Sequence, residues 1–209
     1  MPTTANATLV SIDFESFLDL DDLSSLSPVS GVTFTSATVL TTTGAGGCCL
    51  NDLLFPPHSG VNAAADVLFD LTDPFNPVIS GGGPMFLTFS SPVSSFTAFF
   101  TYSLDVNPAL TIQAFNDLAG TVLVASVSTA SDNNLGSSEP LGVTAPIIRS
   151  LLITGDPGAG PQTVGSFIID DITIETTSVV PEPRLLLMLG LAAVMFVSKR
   201  HFRRGRFER

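Results

Sequence analysis

The chain has 209 residues, 44% of them apolar, and a formal net charge of −11. Through Pro183 it carries one basic residue, Arg149, against 18 acidic ones, so it lacks the basic face that a nucleic-acid binder needs to neutralise phosphates. The apolar share is too high for a disordered linker, and 16 Phe can fill the core of a single domain without any Trp.

From the N-terminus, residues 1–10 hold neither a basic patch nor the apolar stretch of about 7–15 residues that a secretory leader uses. If the chain is exported, its true start is expected upstream of Met1. Periods of two then dominate. They predict strands over residues 8–14, 31–40, 65–70, 85–90, 94–102, 110–116, 121–129, 147–154 and 166–175, rich in Val, Ile, Thr and Phe. Between the first two, the spacing of Phe17, Leu18, Leu20, Leu23 and Leu26 predicts one short helix. Asp19, Asp21 and Asp22 near its start fit the helix dipole, because the Gly and distal Glu of a calcium-binding helix-loop-helix are absent. Cys48 and Cys49 are adjacent in a glycine-rich stretch. They can form only a strained vicinal disulfide, and the chain has too few other ligands for zinc, so they read as a loop thiol pair.

Asn116-Asp117-Leu118-Ala119-Gly120 reads as a hairpin turn, and glycine and proline clusters around Gly82 and Pro157 read as turn punctuation. About nine short strands without intervening helices predict an all-β chain, an antiparallel β-sandwich or jelly roll, over residues 1–178. Phe96, Phe99 and Phe100 are expected in its core.

The chain changes character after residue 178. Pro181, Glu182 and Pro183 form a stiff, extended link over residues 179–184, since proline blocks backward growth of a helix. A 13-residue apolar run from Leu185 follows. Six of the eight Lys and Arg then crowd into the last eleven residues. An apolar helix over 185–209 closed by cations reads as a membrane anchor with a cytoplasmic end. The run covers about 20 Å against a bilayer core of about 30 Å. Arg184 at one flank and Lys199, Arg200, Arg203 and Arg204 at the other can snorkel outward to close the difference.

This order of Pro-Glu-Pro, apolar helix and Arg cluster resembles the PEP-CTERM sorting signal of Gram-negative, exopolysaccharide-producing bacteria. The resemblance implies an exported protein, transiently anchored in the inner membrane and processed near the motif by an exosortase. The product would reside in the cell envelope, at the surface or in the extracellular matrix. The body also resembles exported β-sandwich proteins that carry this signal, and carbohydrate-binding-module-like jelly rolls. The matching pieces are Ile12-Asp13-Phe14-Glu15, Gly31-Val32-Thr33-Phe34, Phe55-Pro56-Pro57-His58-Ser59-Gly60, residues 96–102, Ile153-Thr154-Gly155-Asp156 and residues 167–171. That likeness implies a structural calcium ion between acidic residues of the first and last strands.

The residues themselves pose the same question. Asp170 and Asp171 interrupt an apolar strand. Simple alternation puts Asp170 on the face of Ile168, Ile172 and Ile174, the expected core side. An unpaired buried carboxylate is costly, and the body has almost no Lys or Arg to pair with it. One reading is a structural Ca2+ held by Asp170 and Asp171 with Asp13 and Glu15. The other is that the two aspartates cap backbone amides at a strand end or bulge. A glycosidase pair lacks a marked cleft. His58 and Ser59 are neighbours, which disfavours a nucleophile–base pair, and no Gly-x-Ser-x-Gly elbow is present. Tyr102 is the only Tyr and there is no Trp, so glycan binding rests on fold analogy. The sequence therefore predicts a non-enzymatic exported surface or matrix protein. The alternatives are a glycan-binding module contacting exopolysaccharide and an envelope hydrolase.

Overall fold

A computed structural model of the chain describes residues 7–42, 50, 56–70, 78–81, 84–102, 110–129, 138–155 and 167–176. They form an antiparallel all-β fold. In chain order the strands are β1 (Thr8–Ile12), β2 (Val32–Thr35), β3 (Thr38–Thr41), β4 (Asn62–Ala65), β5 (Val67–Asp70), β6 (Val78–Gly81), β7 (Met85–Tyr102), β8 (Leu110–Phe115), β9 (Leu123–Ser128), β10 (Glu139–Gly155) and β11 (Phe167–Thr176). Nine of them share one hydrogen-bonded ladder, and β5 pairs with β6.

The ladder is continuous because two long strands serve both layers of a sandwich. The first half of β7 pairs with β2 and with the second half of β10, which continues to β8 and β9. The second half of β7 pairs with the first half of β10 and with β11. The crossing points are register breaks: between Thr144 and Ser150 on β10, and at Ser94 of β7, which β11 skips. A single inserted residue moves every later side chain to the opposite face. Accordingly Met85, Leu87 and Phe89 point inward before the break in β7, and Phe96, Ala98 and Phe100 after it.

One apolar cluster fills the space between the layers. Leu87, Ile112, Leu151 and Ile153 come from the first layer, and Phe96, Phe100, Ile169 and Ile172 from the second. A smaller cluster of Leu40, Leu50, Ala63, Ala65 and Ile168 lies apart from it, on the outer side of the second layer.

Four expectations change here. No helix forms among the described residues between β1 and β2. Phe14 and Leu20 have φ of 60° and 69°, which a right-handed helix cannot contain. The segment instead makes single turns, such as Phe17 N–H to Phe14 O and Ser25 N–H to Asp22 O. The acidic cluster has a different role from the one expected. Asp21 accepts the Leu18 amide and Asp22 the Ser24 amide, local bonds that compete with a helix, while Asp19 accepts the Thr41 amide of β3. The strand expected over 31–40 is two strands, broken at Ser36 with φ of 59°. The strands expected over 85–90 and 94–102 are one, β7.

The linker, the sorting motif Pro181-Glu182-Pro183 and the anchor with Arg184, Lys199, Arg200, Arg203 and Arg204 lie outside the described residues, as do Cys48 and Cys49. Among the described residues no helix is long and apolar enough to cross a membrane.

Candidate functional site

The expected site residues meet at a gap in the second layer. On one side of β11, β4 pairs only with Ile168 and Ile169, and β1 begins at Ile172. Asp170 and Asp171 fall between them. A bulge sits there too: on the other side of β11, Asp170 pairs with Phe99 and Thr173 with Thr97, so three steps along β11 match two along β7. Asp171 is the bulged residue, with φ of 45°, a conformation that Asp tolerates better than most residues.

The bulge overturns the alternation read from sequence. Ile172 and Ile174 face the main core, together with Phe167 and Ile169. Asp170 shares a face with Ile168, on the outer side. It is nevertheless only 1% exposed, because residues 56–61 lie over it on their way into β4. Phe99, its cross-strand neighbour, is on that outer face as well. It is half-buried and stacks on the His58 ring at a centroid distance of 3.3 Å, so it is not a core residue as Phe96 and Phe100 are.

The carboxylates hold this covering segment. Asp170 Oδ2 accepts the Ser59 amide at 2.9 Å, and Oδ1 accepts the Asp171 amide at 2.8 Å. Asp171 Oδ1 accepts the Ser59 hydroxyl at 2.9 Å, and Oδ2 lies 2.6 Å from His58 Nδ1. From the far side, Glu15 Oε1 accepts the amides of Val61 at 3.0 Å and Asn62 at 2.9 Å. Thr101 donates to the Pro56 carbonyl. Asp13 stays at the end of β1, where its Oδ1 accepts the Glu15 amide at 3.3 Å. Gly60 makes the approach of Glu15 possible. Its φ is +56°, and a Cβ there would lie 2.2 Å from the Glu15 carboxyl carbon.

Burial raises the Asp170 pKa to about 6, against the opposing pull of the Ser59 and Asp171 amides. The amide donors compensate part of the cost of burying the Asp170 carboxylate. Both oxygens of Asp170 and of Asp171 and Oε1 of Glu15 face donors here, which is the arrangement of the second expectation, carboxylates capping backbone amides at a bulge. Among the described residues, no group of three or more His, Cys, Asp or Glu is placed to hold a metal ion. The Ser59 hydroxyl donates to Asp171, not to the His58 ring, so the pair lacks the geometry of a nucleophile with its base.

Sequence reasoning grouped Glu15, Asp170 and Asp171 with Asp13, took His58 and Ser59 apart from them, and missed that Glu15, His58, Ser59, Asp170 and Asp171 form one cluster. The signal available was the shared segment: all five serve the residues leading into β4, a strand that the sequence pattern did not show.

No family model matches the chain, and no curated protein does. Among solved structures it is similar to the K2 cleaved adhesin domain of Lys-gingipain, with 11% identity, a TM-score of 0.48, and 80% of this chain and 99% of that one covered. It is also similar to the C-terminal CBM6 of LamC, a marine laminarinase from Zobellia galactanivorans, with 12% identity, a TM-score of 0.34, and 82% and 100% covered.

Proposed function

We propose that the chain is a non-enzymatic, exported β-sandwich module of the cell envelope or extracellular matrix. Residues 179–209 deliver it, and an exosortase processes it at Pro181-Glu182-Pro183. The observation that carries the non-enzymatic part is the use of the acidic cluster. Glu15 Oε1, Asp170 Oδ2 and Asp171 Oδ1 accept from one covering segment, and the Ser59 hydroxyl donates to Asp171. The delivery part rests on the ordered motif, apolar run and basic tail.

The test is the intact mass of the mature protein from a host that encodes an exosortase. The reading expects a C-terminus near residue 182, with the basic tail gone. Changing Pro181 and Pro183 to Ala together should leave the full-length mass. A native protein that keeps Arg209 and stays in the cytoplasm would refute the delivery reading.

A further inference from the structure

The sheet edges are guarded unequally. Residues 20–23 cover the outer edge of β3: the Val39 carbonyl accepts the Leu20 amide at 2.8 Å, and the Asp21 and Ala37 carbonyls accept the Val39 and Leu23 amides at 2.9 Å. β2 is four residues long, and the first half of β10 carries Glu139 and Pro140. Short strands, charges and proline are protections against pairing with another chain. β9 has none of them. It ends the first layer, and among the described residues nothing pairs with its outer side. From Thr121 to Thr129 the sequence holds no charge, no Gly and no Pro, in a chain whose stretch through Pro183 has 18 acidic side chains.

The free groups of this edge follow from its pairing. The Thr129 amide donates to the Leu110 carbonyl, so Val127 and Ala125 likewise turn their amides and carbonyls toward β8, and Val124, Ser126 and Ser128 turn theirs away. The 2.9 Å between the Thr111 and Ser128 hydroxyls fits this phase, since side chains come closest in pairs that share no backbone bond. On the core-facing side, Ala125 and Val127 pack against the main cluster but stay half-buried. At the start of the strand, Leu118, Val122, Leu123 and Val124 are 39–55% exposed. Asp117 fixes the loop that leads into them, accepting from the Thr121 hydroxyl and amide and from the Val122 amide. Single exposed apolar residues are ordinary, but a group of them marks a contact surface.

We propose that β9 pairs antiparallel with β9 of a second copy of this chain, a contact that goes beyond the delivery and envelope role argued above. A twofold axis sets two identical strands antiparallel. The register with Ser126 opposite Ser126 of the second copy engages all three outward-turned residues: Ser126 bonds its own counterpart, and Val124 bonds Ser128 of the second copy. Ala125 then faces Val127 on the core side, apolar against apolar, and the Ser126 hydroxyls meet on the outer side. The strand carries no charge, so two acidic bodies join there without like charges opposed across the seam. This match of the strand to itself selects a second copy over a strand of another protein.

The test is the solution mass of the full-length chain in non-ionic detergent, by sedimentation at up to about 0.1 mM protein, which populates a dimer with a Kd of about 10 μM. The expected result is a dimer that tightens as salt rises, because screening weakens the repulsion between the acidic bodies. Ser126→Asp sets like charges face to face across the axis and should weaken the dimer about tenfold or more. Ser126→Pro removes an amide that faces away from β8 and should abolish the dimer. Leu9→Asp, on β1 of the other layer, should leave it unchanged. Melting curves at dilution confirm that each variant is folded. A native chain that stays monomeric overturns the proposal. A dimer that both Ser126 variants leave intact assigns association to another part of the chain and also overturns it. So does a dimer that loosens as salt rises, which would join the basic tail of one copy to the acidic body of another.

Discussion

The outer faces of the two layers handle polar groups in opposite ways. On the second layer, Asp170 is buried under residues 56–61, and its oxygens are spent on amides. On the first layer, Thr35, Ser126 and Thr154 stay exposed and uncharged, and among the described residues the β8–β9 loop leans over the sheet. The difference follows from charge. A carboxylate under a covering segment needs every oxygen paired, which fixes that segment in place. A row of hydroxyls bears water without penalty. One outer face is tied down by hydrogen bonds, and the other stays open to water.

The sharpest way to break the lock is Gly60→Ala. It puts a side chain at φ of +56° and drives Glu15 off the Val61 and Asn62 amides. The left-handed conformation costs about 1–2 kcal/mol and the freed amides add to it. We expect a loss of about 2–4 kcal/mol in chemical denaturation. A loss under 1 kcal/mol would mean that Glu15 swings away freely.

Asp170→Asn comes next. An amide cannot accept from both the Ser59 and the Asp171 N–H groups, so about 1–3 kcal/mol should be lost. The substitution also tests the pH dependence. The folded pKa of Asp170 is raised above its ordinary value of 3.8 to about 6, so the folded state binds this proton more tightly than the unfolded chain. The Asp170 contribution to stability is therefore greatest below about pH 4. It falls as pH rises from about 4 to about 6 and is level above that. Melting temperature followed across this window should show the decline in the native protein and lack it in Asp170→Asn.

The first layer should be more forgiving. Gly120→Ala meets φ of +69° and the edge of the Phe86 ring, where Gly60→Ala meets a carboxylate. A loss of about 1–2 kcal/mol is expected from the backbone alone. Ser126→Asp, exposed on β9, should change stability by less than about 0.5 kcal/mol. Equal losses for Gly60→Ala and Ser126→Asp would erase the contrast between the two faces.

Much of the architecture was legible in the sequence, because strands such as β8 and β11 alternate or carry Ile and Val runs that need a sheet. The loop at Asp117 was legible from its Asn, Asp and Gly. What escaped was phase. No sequence pattern marks Asp171 as bulged, yet that extra residue turns Asp170 from the core side to the outer side. The first half of β10 escaped because Pro140 and Pro146 argue against a strand. Pro140 is tolerated where β10 pairs with β7 alone, at a layer edge, and Pro146 falls within the register break. β4 escaped because Asn62 and three alanines have little strand preference of their own. Their small side chains fit between β3 and β11. The cluster around residues 58–62 was illegible for the same reasons, since it forms where a bulge meets a strand that propensity does not reveal.

We propose that amide donors, rather than a cation, satisfy the buried acidic cluster. The direct measurement is the melting temperature of the native protein and of Asp170→Asn, each in excess calcium and in chelator. The account predicts the same melting temperature for the native protein in both, and a lower one for Asp170→Asn, again alike in both. A native protein stabilised by calcium by about 5–11 °C, the shift a site gives at a hundredfold excess over its Kd in a domain of this size, would contradict it. Loss of that shift in Asp170→Asn would then place the ion at this carboxylate.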